Sequence, residues 1–289
     1  MSWVAQVAMG KLYGAPPSAD LNERAISPNV LTAMPKLGRG RILIWEGGSL
    51  WIMEAVSPNR QRARLNDPHA HHAVQVTLRL EGDFEFESGD RRASGDVVAV
   101  APDALHAFNA RGLFAHIYME PECRAGRAAA SALFADDEPL ARVTGIPLDD
   151  LAAELSAAFK RKDDRDLTQL GRSVIDRLAG RRSGAEPDAR VREILAWVQT
   201  RLDYPVSLAD AAQLAGLSKA RVRHLFVEQT GLPFKTYLLW LRLMRGLEAF
   251  ASGASLTDAA LGAGFSDSAH FSRTFRRMFG TAAAALDVS

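Results

Sequence analysis

A short pattern occurs twice in the last part of this chain, and a repeated pattern of that size means the same small structural unit is built twice. LADAAQLAGLSKARVRHLF begins at Leu208 and LTDAALGAGFSDSAHFSRTF at Leu256, 48 residues further on. Each copy starts on an apolar residue, carries Asp two positions later and then Ala-Ala, and reaches a glycine (Gly216, Gly264) eight positions after its start. The glycine precedes an apolar residue and a serine, Leu217-Ser218 or Phe265-Ser266, which predicts a sharp turn and the N-cap of a second helix. Small Ala212 and Ala260 let the two helices approach, and Val222 and Leu225, or Phe271 and Phe275, bury the inner face of the second. Between the copies, Tyr237, Leu241, Met244 and Leu247 mark the inner side of a long helix from about Phe234 to Ala251, with Arg242 and Arg245 nearer the surface.

Two helix-turn-helix units on a rigid spacer point to double-stranded DNA. The spacer can set two second helices about 34 Å apart, one turn of B-DNA. The first offers Lys219, Arg221, Arg223 and His224 outward, and the second Asp267, Ser268, His270, Arg273 and Arg277. Arginine bonds two guanine acceptors at once, and Ser, His and Lys reach base edges or phosphates. One such helix alone is as well explained as the solvated face of a bundle; two copies shift the weighing. Over the whole chain 35 Lys+Arg stand against 34 Asp+Glu, which excludes a polybasic tail or a disordered acidic chain. Residues 188–289 hold 12 basic and 9 acidic residues, so a net −2 lies before them and +3 within them.

Residues 188–289 resemble the DNA-binding domain of AraC/XylS transcription regulators. The similarity is carried by Gly231-Leu-Pro233 with Tyr237, by Arg242-Leu-x-Arg245, and by Ala263-Gly-Phe265-Ser-Asp-Ser-x-x-Phe271-Ser-Arg273-x-Phe275-Arg-Arg-x-Phe279-Gly280. The resemblance implies base-facing positions at Ala220, Arg223 and His224 in the first unit and Ala269, His270 and Arg273 in the second. The alanines leave apolar contact, as with a thymine methyl. Two departures stand out. Gly246 replaces the usual alanine and costs the spacer helix up to about 1 kcal/mol, and TAAAALDVS after Gly280 replaces the usual ending, which puts a last helix in doubt.

The expected fold class is α+β. Short apolar runs from Ile42 to Glu120 predict six strands (RILIWEGG, SLWIMEAV, VQVTLRLEG, DFEFESG, DVVAVAP, FAHIYMEP), with Glu-Gly-Asp and Ser-Gly-Asp turns closing antiparallel hairpins in a barrel or sandwich. Leu148, Leu151, Leu155 and Phe159, then Leu167, Leu170, Val174 and Leu178, predict a helical hairpin turning at KRKDDRD. GRRSGAEPD, from Gly180, is linker-like. The expected domains are residues 1–125 (sensor), 126–180 (helical hairpin), 181–187 (linker) and 188–289 (DNA reader).

The strand region holds His69-Ala-His71-His72, Gln75, Gly82, Gly95, Pro102, His106 and Asn109. It resembles the cupin β-barrel, with Gln75 where the first motif has glutamate and one residue too few between Pro102 and His106. Without that carboxylate the plainer expectation is no metal and no cofactor, with the histidines at the barrel mouth. A small-molecule effector there would meet some of Trp51, His69, His71, Gln75, His106 and Phe108. The alternative is a metal-dependent cupin enzyme, a dioxygenase or isomerase, with His69, His71 and His106 as ligands. A third reading gives the β region a protein partner.

For the whole chain the expectation is a sequence-specific regulator and not an enzyme, with promoter DNA and RNA polymerase as partners and activation or repression left open. The family resemblance implies a homodimer through Leu148–Leu178; packing of that hairpin on its own barrel is the competing reading. Lone Cys123 excludes an intramolecular disulfide and reads as a structural thiol. The N-terminus has neither a basic n-region nor a sustained apolar core, and no stretch suits a membrane span, so a cytoplasmic protein is expected.

Overall fold

The computed structural model describes residues 38–55, 63–64, 66–134, 138–180 and 186–288. Residues 1–37 of the expected sensor and 181–185 of the expected linker lie outside them.

Two sheets share one long strand. β1 (Gly38–Trp45), β2 (Gly48–Ala55), β3 (Ala63–Arg64), β4 (Val74–Arg79), β5 (Asp83–Ser88), β6 (Arg91–Ala93) and β7 (Val97–Val100) precede β8 (Ala107–Met119). The end of β8 pairs with β2 and β4, from Gly48↔Met119 to Ala55↔Gly112 on one side and Val74↔Met119 to Arg79↔Phe114 on the other. Its beginning pairs with β3 and β5 in the second sheet. β8 is thus longer than the expected FAHIYMEP strand.

The Glu-Gly-Asp segment differs from the expected hairpin. β4 and β5 do not pair with each other; both run antiparallel to β8, end to end, as one bent strand that changes sheets. The bend is a bulge, with the amides of Leu80 and Glu81 both donating to the Leu113 carbonyl at 3.0 and 2.8 Å. Glycine is required on both sides of it. Gly82 has φ +77° and a Cβ there would meet the Arg111 carbonyl at 2.0 Å; one on Gly112, at φ +95°, would meet the Glu81 carbonyl at 2.4 Å. Ser88-Gly-Asp does close a hairpin, between β5 and β6.

After β8 come α1 (Arg124–Leu133), β9 (Leu140–Arg142), α2 (Asp149–Arg161) and α3 (Asp164–Ala179). Cys123 caps α1, its sulfur accepting from the Gly126 amide at 3.2 Å, and burial pushes the thiol pKa up, so it is a structural group. Between α2 and α3, Lys162 takes a left-handed conformation (φ +59°) and the Asp163 carboxylate caps α3. The apolar faces of this hairpin are turned inward. Leu151, Leu155, Leu167, Leu170, Val174 and Leu178 pack on Leu50, Ile52, Val74, Val76 and Ile117 of the chain's own sheet. The leucines that make the hairpin amphipathic are therefore buried within the chain, the packing that competes with the subunit contact implied by the resemblance.

The helical part comprises α4 (Ala189–Gln199), α5 (Leu208–Leu214), α6 (Lys219–Thr230), the spacer α7 (Phe234–Ala251), α8 (Leu256–Gly262) and α9 (Ser268–Phe279). Among the described residues no α-helix follows α9: Ala283–Ala285 make a 3-10 turn, and β10 (Leu286–Val288) pairs in parallel with β1 at Gly38–Gly40. Gly246 has a packing reason, since a Cβ there would lie 2.6 Å from the Phe271 ring and 3.1 Å from Ala263 Cβ. The missing methyl lets the second unit press against the spacer.

Candidate DNA-reading helices and effector cavity

Both repeats fold as helix-turn-helix units, and the repeated Asp is explained by capping. Ser207 accepts from the Asp210 amide while Asp210 accepts from the Ser207 amide, and Ser255 accepts from the Asp258 amide in the second copy. Each turn is a Schellman motif. Leu217 donates to Ala212 O and Gly216 to Gln213 O, matched by Phe265 to Ala260 O and Gly264 to Leu261 O, with Gly216 at φ +63° and Gly264 at φ +81°. Ser218 caps α6 as expected. In the second unit Asp267, one residue beyond the expected Ser266, caps α9 and accepts from the His270 amide at 2.6 Å.

That one-residue slip fixes how the two helices correspond. Counted from their caps, Ala220, Arg221 and His224 match Ala269, His270 and Arg273, while Arg223 matches Ser272. Lys219, Ala220, Arg221, Arg223 and His224 are exposed, as are Ala269, Arg273 and Arg277; Ser268 and His270 are half-buried. The opposite faces are core: Val222, Leu225 and Phe226 in α6, and Phe271, Phe275 and Phe279 in α9. Two short helices therefore present Arg, Lys and His to solvent from rigid, capped positions.

The second unit is also a wall of the β domain. A cavity of about 60 Å³ is bounded by Trp51, Met53, His69, Phe108, Phe114, His116 and Tyr118 from the strands, and by Phe279, Thr281 and Leu286 from the helical part. Phe279 lies 4.7 Å from Trp51 and 6.0 Å from both His71 and Tyr118, ring centre to ring centre, and Phe275 stacks on Trp51 at 6.3 Å. Just outside, Asp67 donates its amide to Gly280 O at 2.7 Å and pairs with Arg276 at 3.0 Å. Of the residues expected at an effector site, Trp51, His69 and Phe108 reach the cavity, and His71, Gln75 and His106 lie behind it. Met53, Phe114, His116, Tyr118 and Phe279 escaped the sequence reading: alternation marks the strand residues as core without saying which of them meet, and Phe279 reads as helix-turn-helix core.

Burial governs the charge of the histidines. It lowers His69 and His116 to about 3 and His71 to about 4, and it holds His106 well below the usual range. All four are neutral at pH 7. His72 is the exception: with its partner Glu122 at 2.8 Å it is raised, and Glu122 is lowered. This pair faces the spacer helix, the His72 ring lying 6.1 Å from Trp240 and 6.4 Å from Tyr237. Next to it, burial and Glu122 push the Glu120 carboxyl up to about 7.

Residues 211–287 match the family model described as a helix-turn-helix domain. Over 93 residues the chain is 37% identical to the HTH-type transcriptional activator RhaS of Klebsiella pneumoniae (strain 342), covering 32% of this chain and 34% of that protein. The helical domain is thus similar to those of HTH-type transcriptional regulators, in line with the AraC/XylS resemblance of its motifs. Another relative, named Putative HTH-type transcriptional regulator YkgA, of Escherichia coli (strain K12), is 31% identical over 91 residues, 31% of this chain and 38% of that protein. The chain spans about a third of the length of these curated relatives. The fold extends further. An apo variant of ToxT from Vibrio cholerae strain SCE256 superposes over 84% of this chain and 97% of its own at TM-score 0.53 and 11% identity. ToxT from Vibrio cholerae O395 bound to (E)-4-(8-methylnaphthalen-1-yl)but-3-enoic acid superposes over 83% and 97% at TM-score 0.51 and 11% identity. A fold with a sheet-rich part ahead of a helical part is thus a known one.

Proposed function

We propose that this protein is a sequence-specific transcription regulator that binds promoter DNA through α6 and α9, acts on RNA polymerase there, and is controlled by a small molecule in the β domain. It is a regulator and not an enzyme, working in the cytoplasm where its DNA lies. The observation that carries the first part is the pair of capped, solvent-facing helices, with Lys219, Arg221, Arg223 and His224 on one and His270, Arg273 and Arg277 on the other. Ser268, Ala220 and Ala269 complete the surface a major groove would meet.

Control follows from the wall the cavity shares with α9. A ligand in this space meets Phe279, the last residue of the second candidate reading helix, so filling the space can move that helix end. Differential affinity for the open and closed arrangements would shift DNA binding. Trp51, Phe108, Phe114 and Tyr118 suit an apolar body, and Asn66, His69 and Thr281 a polar end. A similar division of an apolar body and an acid group describes the ligand crystallised with ToxT.

The test is selection of the preferred site from a random DNA pool, followed by titration. Arg221→Ala, Arg223→Ala and Arg273→Ala should each cost about 1–3 kcal/mol and relax one base pair, if each reads a base. Equal affinity of wild type and the triple variant would remove the assignment of reading heads.

A further inference from the structure

We propose that His69, His71 and His106 form a binding site for a divalent first-row transition ion at the floor of the β domain. Each offers a ligand nitrogen, and the three nitrogens lie within 4.8 Å of one another. Their orientation is imposed by the backbone. Nδ1 of His69 sits 2.9 Å from Asp67 O, Nδ1 of His71 3.0 Å from Ala73 O, and Nδ1 of His106 2.8 Å from Ala104 O. A neutral ring that donates Nδ1–H to a carbonyl keeps its lone pair on Nε2, which is how metal-bound histidines are held. His69 and His106 are also direct cross-strand neighbours, exchanging both backbone hydrogen bonds at 2.9 Å.

The arrangement makes poor sense as a plain core. His106 Nε2 is fully buried with no hydrogen-bond partner, whichever way the Gln75 amide is turned. His71 Nε2 meets Gln75 Oε1 at 2.9 Å, and with Nδ1–H given to Ala73 that places two lone pairs face to face. A cation satisfies both contacts; so does rotating the Gln75 amide, which leaves His106 as it was. The ring centres are 4.2, 5.0 and 5.7 Å apart. Three imidazoles on one tetrahedral ion, with metal–nitrogen bonds of about 2.0–2.1 Å, place their centres about 5 Å apart.

The donor set selects the class of ion. Imidazole suits zinc, copper, iron, cobalt or nickel, while calcium and magnesium demand oxygen. The site departs from the expectation of no metal because a carboxylate is not needed to hold such an ion: three neutral imidazoles suffice. The inference is independent of DNA recognition, and it assigns no reaction to the site.

Cobalt(II) titration of the full chain, stripped with a chelator and dialysed, tests it. One equivalent should produce the visible bands of a four- or five-coordinate cobalt–imidazole centre, and zinc should displace it. X-ray absorption of the loaded wild type should count three imidazoles. His106→Ala should weaken binding by about 100-fold, and Gln75→Glu, which adds a carboxylate beside His71, should tighten it by about 10-fold, taking the range by which supporting groups tune metal sites as the guide. No stoichiometric cobalt in the wild type, or fewer than two imidazoles around it, would overturn the proposal. Undiminished binding by a folded His106→Ala protein would do the same, and the wild-type spectra decide if that variant does not fold.

Discussion

The two helix-turn-helix units begin alike and end differently. Both have capped first helices, Schellman turns at glycine and an exposed basic face. At the last residue of the second helix they diverge. Thr230 ends α6 and turns its hydroxyl back to Phe226 O at 2.8 Å, whereas the matching Phe279 ends α9 and reaches Trp51 in the β domain. The first unit is tied to the rest by polar contacts at its end, Arg127 to Gln229 O and the Asp188 amide to Gln229 Oε1. The second packs its rings on those of the β domain, Phe275 and Phe279 on Trp51 and Phe279 on Tyr118. The two repeats thus present similar outer faces, and one side-chain position ties the second of them to the β domain.

The most severe way to break this contrast is to truncate the two matching residues. Phe279→Ala should lower stability by about 3–5 kcal/mol, the usual cost of emptying a buried phenylalanine site. Thr230→Ala should cost about 1 kcal/mol, the loss of a hydroxyl hydrogen bond. Urea unfolding of both variants measures the difference, and equal losses would mean that the second unit is no more deeply embedded than the first.

A smaller effect is expected at the spacer. Glu120 has its pKa raised from 4.5 to about 7, so between those values the folded protein keeps a proton that the unfolded chain releases. Its contribution is present below pH 4.5 and is lost as pH rises through 7. Glu120→Gln should therefore match wild type in Tm at pH 5 and exceed it at pH 8, by on the order of 1–2 kcal/mol in stability. A variant less stable than wild type at pH 8 would show that the Glu120 charge is satisfied where it lies, beside Trp240.

The smallest effect belongs to the Arg276–Asp67 pair, with both side chains about three-fifths exposed. Arg276→Ala should cost less than about 1 kcal/mol and the loss should fade in high salt. A larger loss would mean that charge, and not the aromatic contact, docks the second unit.

The helical domain was legible in the sequence because its determinants are local. Helix periods, glycines and spacer residues lie within a few turns of what they specify. The Ser266 cap was misplaced by one residue because Asp267, equally able to cap, stands next to it. The β domain was legible as strands but not as a path. Nothing near Glu81-Gly-Asp says that β4 and β5 both belong to β8, since the bulge is closed by Leu113 and Gly112. The histidines could be read as a group from their spacing, and their convergence depends on the His69–His106 bridge. Phe279 as a cavity wall was out of reach, because it carries the same inward period as Phe271 and Phe275.

The parallel pairing of Leu286–Val288 with Gly38–Gly40 also sets the order of assembly. Partners about 250 residues apart close one of the largest loops available to the chain, a step that is slow and late. Among the described residues β10 is what covers that edge of β1, and an uncovered edge can pair with another strand. Crowded, newly made chains should then be most prone to aggregate before their helical domain has folded back, and a short peptide copying residues 283–288 would act on that stage as a chaperone for the edge.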